Sequence, residues 1–139
     1  MTPTLFGRIQ TRLFLLGTVG VVWTAIIVPF LPVPPGVGLG EVYRLSYVVL
    51  AIVAGVGVIW ELIYHGLQQF RWEKDWPTLF GFLTGINEGL VAGLLAPDAV
   101  PGGAFVVHFA TTWLVVWLFA NGPMRVLFLR WRFNGGRVL

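Results

Sequence analysis

Cysteine is absent from the 139 residues, which excludes disulfides, thiolate metal sites, iron–sulfur clusters and cysteine nucleophiles. Charge is scarce as well: 11% of residues are charged and 57% are hydrophobic, where an ordinary soluble domain carries about 25% charged and about 45–50% apolar residues. With mean hydropathy +0.83 this is the composition of a membrane chain. Serine occurs once, at Ser46, so a serine nucleophile is hard to supply. Histidine occurs only at His65 and His108, which fall near opposite membrane surfaces and so argue against an intramolecular bis-histidine haem. No Lys-Ser or Lys-Thr follows Gly36, Gly38 and Gly40, so a phosphate-binding loop is missing. An enzyme is not expected, and neither is a metal or a cofactor.

What the sequence has instead is long apolar runs. A helix needs about 20 mostly apolar residues to cross a hydrocarbon core of about 30 Å, and four stretches qualify, approximately 13–31, 42–64, 77–96 and 104–121. The expected fold is all-α: one domain over residues 1–139, a polytopic four-transmembrane-helix bundle. Pro32, Pro34 and Pro35 with the following glycines close the first run, and Pro97, Pro101, Gly102 and Gly103 close the third. After Asn121-Gly122-Pro123, residues 123–133 set Leu127, Phe128 and Trp131 at helical spacing against Arg125 and Arg132. That pattern fits an interfacial C-terminal helix, with a plain stop-transfer flank as the alternative.

Eight of the nine basic residues fall on the side of the two termini and the second connection: Arg8, Arg12, Arg71, Lys74, Arg125, Arg130, Arg132 and Arg137. Only Arg44, beside Glu41, falls on the other side, as a snorkelling anchor. The positive-inside rule then puts both termini in the cytoplasm and the chain, as a multi-pass protein, in the plasma (inner) membrane. The basic residues sit at the ends of apolar runs, facing phospholipid headgroups, so lipid rather than nucleic acid is the expected polyanion. On the cytoplasmic face, Glu61, His65, Arg71, Trp72, Lys74, Trp76, Arg125, Arg130 and Arg132 form the expected interface. Glu61 and His65 stand four residues apart there, a weakly stabilising pair that would cap the bundle against Arg71 or Lys74.

The third run is the most informative. Gly81, Gly85, Gly89 and Gly93 recur every four residues, leaving one stripe of that helix without side chains, the device by which membrane helices approach closely. The neighbouring ridge carries Thr84, Glu88 and Ala92. Glu88 falls about 17 Å into the span at 1.5 Å per residue, near the bilayer midplane. A carboxylate at that depth costs on the order of 2.5–3.5 kcal/mol on insertion scales and so needs a proton or a donor. His108 on the fourth run is the candidate donor, giving an expected polar cluster of Asn87, Glu88, His108, Thr111 and Thr112 between the third and fourth helices. Such a cluster either fixes helix packing or carries chemistry, and both readings stand.

Two functions fit these features. The first is a non-enzymatic accessory or scaffold subunit of a larger membrane assembly, joined to other membrane subunits or to its own copies through the glycine-lined face. The second is a small proton- or ion-conducting homo-oligomer using Glu88 and His108. The stretches Thr4-Leu5-Phe6-Gly7-Arg8-Ile9-Gln10-Thr11-Arg12 and Gln69-Phe70-Arg71-Trp72-Glu73-Lys74-Asp75-Trp76-Pro77 resemble those of a family of small bacterial four-helix integral membrane proteins without an assigned activity. The resemblance implies a cytoplasmic face with a specific partner and assigns no site residue.

Overall fold

The computed structural model describes residues 4–71 and 77–139, and no strand occurs among them. Four helices are long and apolar enough to cross a membrane: α1 (Leu5–Phe30), α2 (Leu39–Gln69), α3 (Thr78–Leu95) and α4 (Gly102–Asn121). They alternate in direction, so the start of α1, the end of α2, the start of α3 and the C-terminal tail share one end of the bundle, called here the terminus end. The outward side chains are apolar, as lipid contact requires: on α3, Leu79, Leu83, Ile86, Leu90 and Leu94 are all exposed.

The first span starts eight residues earlier than its hydropathy suggests, at Leu5 rather than residue 13, with Thr4 as N-cap accepting from the Gly7 amide at 3.1 Å. Its inward residues recur every four positions: Leu16, Gly20, Thr24 and Val28 are buried, in line with Arg8 and Arg12. In an α-helix each four-residue step overshoots a full turn by about 40°. A π segment at Leu16–Gly20 takes up part of that drift and keeps both ends of the stripe facing the bundle. Near the far end Pro29 has no amide to donate, and the helix tightens into a 3₁₀ turn at Val28–Phe30 before Pro32.

Three apolar clusters lie along the axis. At the far end Val28, Leu31, Val42 and Ala104 pack together, and in the middle Leu16, Val49, Leu50, Val53 and Ala92 do so. At the terminus end the cluster is Leu15, Met124 and Trp131.

The expected interfacial helix over 123–133 is two short helices, α5 (Pro123–Leu127) and α6 (Leu129–Phe133), broken at Phe128. The expected apolar face is also divided: Trp131 turns inward and donates from Nε1 to Thr11 Oγ1 at 2.7 Å, while Leu127 and Phe128 are exposed. Gly135 and Gly136, both at positive φ, then reverse the chain so that the Gly135 carbonyl accepts from the Thr4 amide at 2.8 Å. A side chain at Gly7 would collide with this returning backbone, so the tail clasps the first turns of α1.

Candidate functional site

Glu88 finds its donor on α1, not on α4. Arg12 Nη1 donates to Glu88 Oε2 at 2.6 Å and Nη2 to Oε1 at 2.9 Å, a two-pronged guanidinium–carboxylate pair. The same guanidinium donates to Glu61 Oε1 from Nε at 3.0 Å and from Nη2 at 2.8 Å. Arg8, one turn nearer the terminus end, donates from Nη1 to Glu61 Oε2 at 3.2 Å and from Nη2 to Gln68 Oε1 at 3.3 Å. Two cations thus balance two anions inside the bundle, drawn from α1, α2 and α3.

Arg8 and Arg12 are 14% and 12% exposed, so they are internal groups and do not meet lipid headgroups as their flanking position suggested. Space for Arg12 is made by Gly57, where a Cβ would stand 2.6 Å from its Nη1. The guanidinium carbon also lies 5.6 Å from the centre of the Trp113 ring, within cation–π range.

The expected polar cluster between α3 and α4 is therefore split. His108 Nε2 pairs with Thr24 Oγ1 of α1 at 2.9 Å, and Thr111 Oγ1 accepts from Trp23 Nε1 at 3.0 Å. Both groups belong to a second polar step nearer the far end, closed by α1. Thr112 is buried with its hydroxyl unpartnered among the described residues. Asn87 is on the outward side of α3 and does not join Glu88. The physical reason is helix rotation: Thr84, Glu88 and Ala92 turn toward the bundle interior while Asn87, one residue earlier, is turned away.

The expected Glu61–His65 pair does not form, because Glu61 is drawn inward to the two arginines and His65 faces Gln69, 3.5 Å away. Of the other interface residues, Arg125, Arg130 and Arg132 are exposed at the terminus end, and Arg71 follows the end of α2. Trp72, Lys74 and Trp76 lie outside the described residues. Arg44, expected as a snorkelling anchor, pairs with Glu41 on the exposed far end.

The glycine seam is filled from within the chain. Phe105, Phe109 and Trp113 of α4 stack in a ladder, with ring centres 5.8 Å and 5.9 Å apart and planes 15° and 16° from parallel. Antiparallel register puts Phe105 over Gly93, Phe109 over Gly89 and Trp113 over Gly85. A Cβ at Gly89 would stand 2.7 Å from the Phe109 ring, and one at Gly85 would clash with the Trp113 indole. The seam is thus not a surface awaiting another chain; its own fourth helix covers it.

The fourth rung of the ladder is missing. The register would set Trp117 over Gly81, yet a Cβ at Gly81 would meet nothing within 4 Å. Trp117 instead packs edge-on against Phe82, ring centres 5.3 Å apart, and donates to the Thr78 carbonyl at 3.2 Å. The vacated rung opens a cleft of about 300 Å³ at the terminus end, with Gly81, Trp117 and Trp131 in its walls and Asn121 and Arg125 beside its mouth. Arg8, Arg12 and Glu61 line its interior. Sequence reasoning missed this site because Arg8 and Arg12 precede the apolar run. The available signal was their four-residue spacing in phase with Thr24 and Val28, together with two intramembrane acids lacking a cation. Comparison with protein families, curated proteins and solved structures returns no match.

Proposed function

We propose that this chain is a non-enzymatic integral membrane protein that works by binding: an accessory subunit of a larger membrane assembly whose working contact is the cleft. In this reading it sits in the plasma (inner) membrane with both termini cytoplasmic. With Arg8 and Arg12 set aside as internal, the cations Arg71, Lys74, Arg125, Arg130, Arg132 and Arg137 still outnumber Arg44, so the positive-inside argument holds.

The open rung at Gly81 carries the reading. Three glycines of the stripe seat an aromatic ring and the fourth leaves a hole, and that hole lies over a charge network whose members are expensive to bury. Of the three arginines that line it, Arg8 and Arg12 are balanced by Glu61 and Glu88 while Arg125 carries no acid partner among the described residues, which favours an anionic group presented at the membrane interface. Gly81→Phe tests this, since the new ring grows into free space and plugs the cleft without a clash at Cβ. Extracted in mild detergent, the wild-type chain is expected to co-purify with other membrane subunits or further copies, and the plugged variant to be equally abundant but alone. A wild-type chain recovered as a clean, partner-free monomer would contradict the reading, as would a plugged variant that keeps its full complement.

Proton conduction is a second reading, favoured by small voids between the cleft and the far end. One is lined by Leu16, His108, Thr112 and Trp113, and another by Ser46, Pro101 and His108. Each measures about 10 Å³, close to the room for a single water. Glu88→Gln in proteoliposomes separates the two readings: conduction requires that proton flux fall, whereas binding requires that flux be absent from the wild type as well.

A further inference from the structure

We infer that the cleft holds the phosphate headgroup of an anionic phospholipid drawn from the leaflet at the terminus end. The inference rests on the cleft being the working site and names its occupant. Four observations converge on a phosphate-bearing amphiphile.

The first is unspent donor capacity. All three nitrogens of the Arg12 guanidinium are engaged by Glu61 and Glu88, but Arg8 Nε is buried without a partner among the described residues. Arg125 donates from Nη2 to Asn121 Oδ1 at 3.0 Å, leaving N–H groups to spare. Guanidinium groups with free N–H bonds are suited to phosphate oxygens. The second is charge: Glu61 and Glu88 balance Arg8 and Arg12, so Arg125 leaves the cleft and its surroundings with a net positive charge.

The third observation is shape. From Asn121 beside the mouth to Trp113 at depth the cleft follows α4 for about 12 Å at 1.5 Å per residue. Its deep wall is Leu15, Leu16, Trp113 and Val116, apolar surface that a free phosphate would leave wetted and the start of an acyl chain would cover. The volume of about 300 Å³ is at the small end for ligand sites, enough for a headgroup and its first methylenes rather than a whole lipid. The fourth is position. The cleft is lined by the start of α3, the end of α4 and the exposed Arg125, at the end of the bundle where α5 and α6 also expose Val126, Leu127, Arg130 and Arg132, an amphipathic surface suited to the headgroup layer.

The test measures thermal stabilisation of the full chain, stripped of lipid in detergent, by phosphatidylglycerol, by phosphatidylcholine and by soluble glycerol phosphate. Phosphatidylglycerol is expected to act at a concentration at least tenfold lower than phosphatidylcholine. Arg125→Gln, an exposed change, should raise that concentration about tenfold by removing one charged donor. Gly81→Phe should abolish the selectivity, with circular dichroism showing both variants folded. Equal stabilisation by the two lipids, undiminished selectivity in Gly81→Phe, or glycerol phosphate acting as well as phosphatidylglycerol would each overturn the lipid assignment. If lipid selectivity is absent while Gly81→Phe still strips partners from the wild-type assembly, only the occupant is wrong and an acidic partner side chain takes its place. If neither changes, the cleft is not the working site.

Discussion

The two halves of this bundle are built from the same parts and held by different forces. At the far end and through the middle, α1 offers Leu16, Gly20, Thr24 and Val28 to the interior, and rings of α4 sit in the glycines of α3. Shape does most of the holding there, helped by the hydrogen bonds of Thr24 with His108 and of Trp23 with Thr111. At the terminus end α1 offers Arg8 and Arg12 along the same stripe, the ladder loses its last ring, and charge holds α1 to α2 and α3. Lipid gives helices no hydrophobic drive to associate, so close packing and polar bonds must supply it. The far half uses mainly the first; the terminus half uses the second and keeps a cavity open.

That contrast can be broken most forcefully at its centre. Arg12→Leu strands Glu61 and Glu88 without their shared cation and should destabilise by about 3–5 kcal/mol, read as loss of the melting transition in detergent. Gly85→Val drives a side chain into the Trp113 indole and should cost about 1–3 kcal/mol, part of it recovered by adding Trp113→Ala. Thr24→Val leaves the His108 imidazole without its bond and should cost about 1 kcal/mol in the same assay. Gly81→Ala sharpens the comparison by reversing sign: with empty space beside it, replacing a mid-helix glycine should raise stability by about 0.5–1 kcal/mol. Arg44→Ala, at the exposed far-end pair, should leave the melting temperature unchanged.

Hydropathy runs made the four spans legible, because a window of apolar residues responds to the same physics that buries them in lipid. Element ends were less legible: α1 reaches back to Leu5 through Arg8 and Arg12, since charges neutralised by internal acids no longer mark the membrane surface. Glu88 was identifiable as needing a donor, but depth arithmetic pointed to His108 and left out the reach of a long arginine side chain entering from one end. The glycine stripe was equally visible. What filled it was not, although Phe105, Phe109, Trp113 and Trp117 repeat at the same four-residue interval on the next helix. Matching those two periods across a short turn would have revealed an internal partner. The missing rung at Gly81 depends on where one indole ring settles, and no periodicity encodes that.

The central claim, that Arg12 and Glu88 form one unit that ties α1 to α3 beneath the cleft, is tested most directly by a double-mutant cycle on melting in detergent. Arg12→Gln and Glu88→Gln should each destabilise strongly alone, and the pair together should lose far less than the sum, because removing both charges leaves fewer uncompensated ions buried. Additive losses would mean that the two side chains do not share a fate, and the charged floor of the cleft would not exist as described.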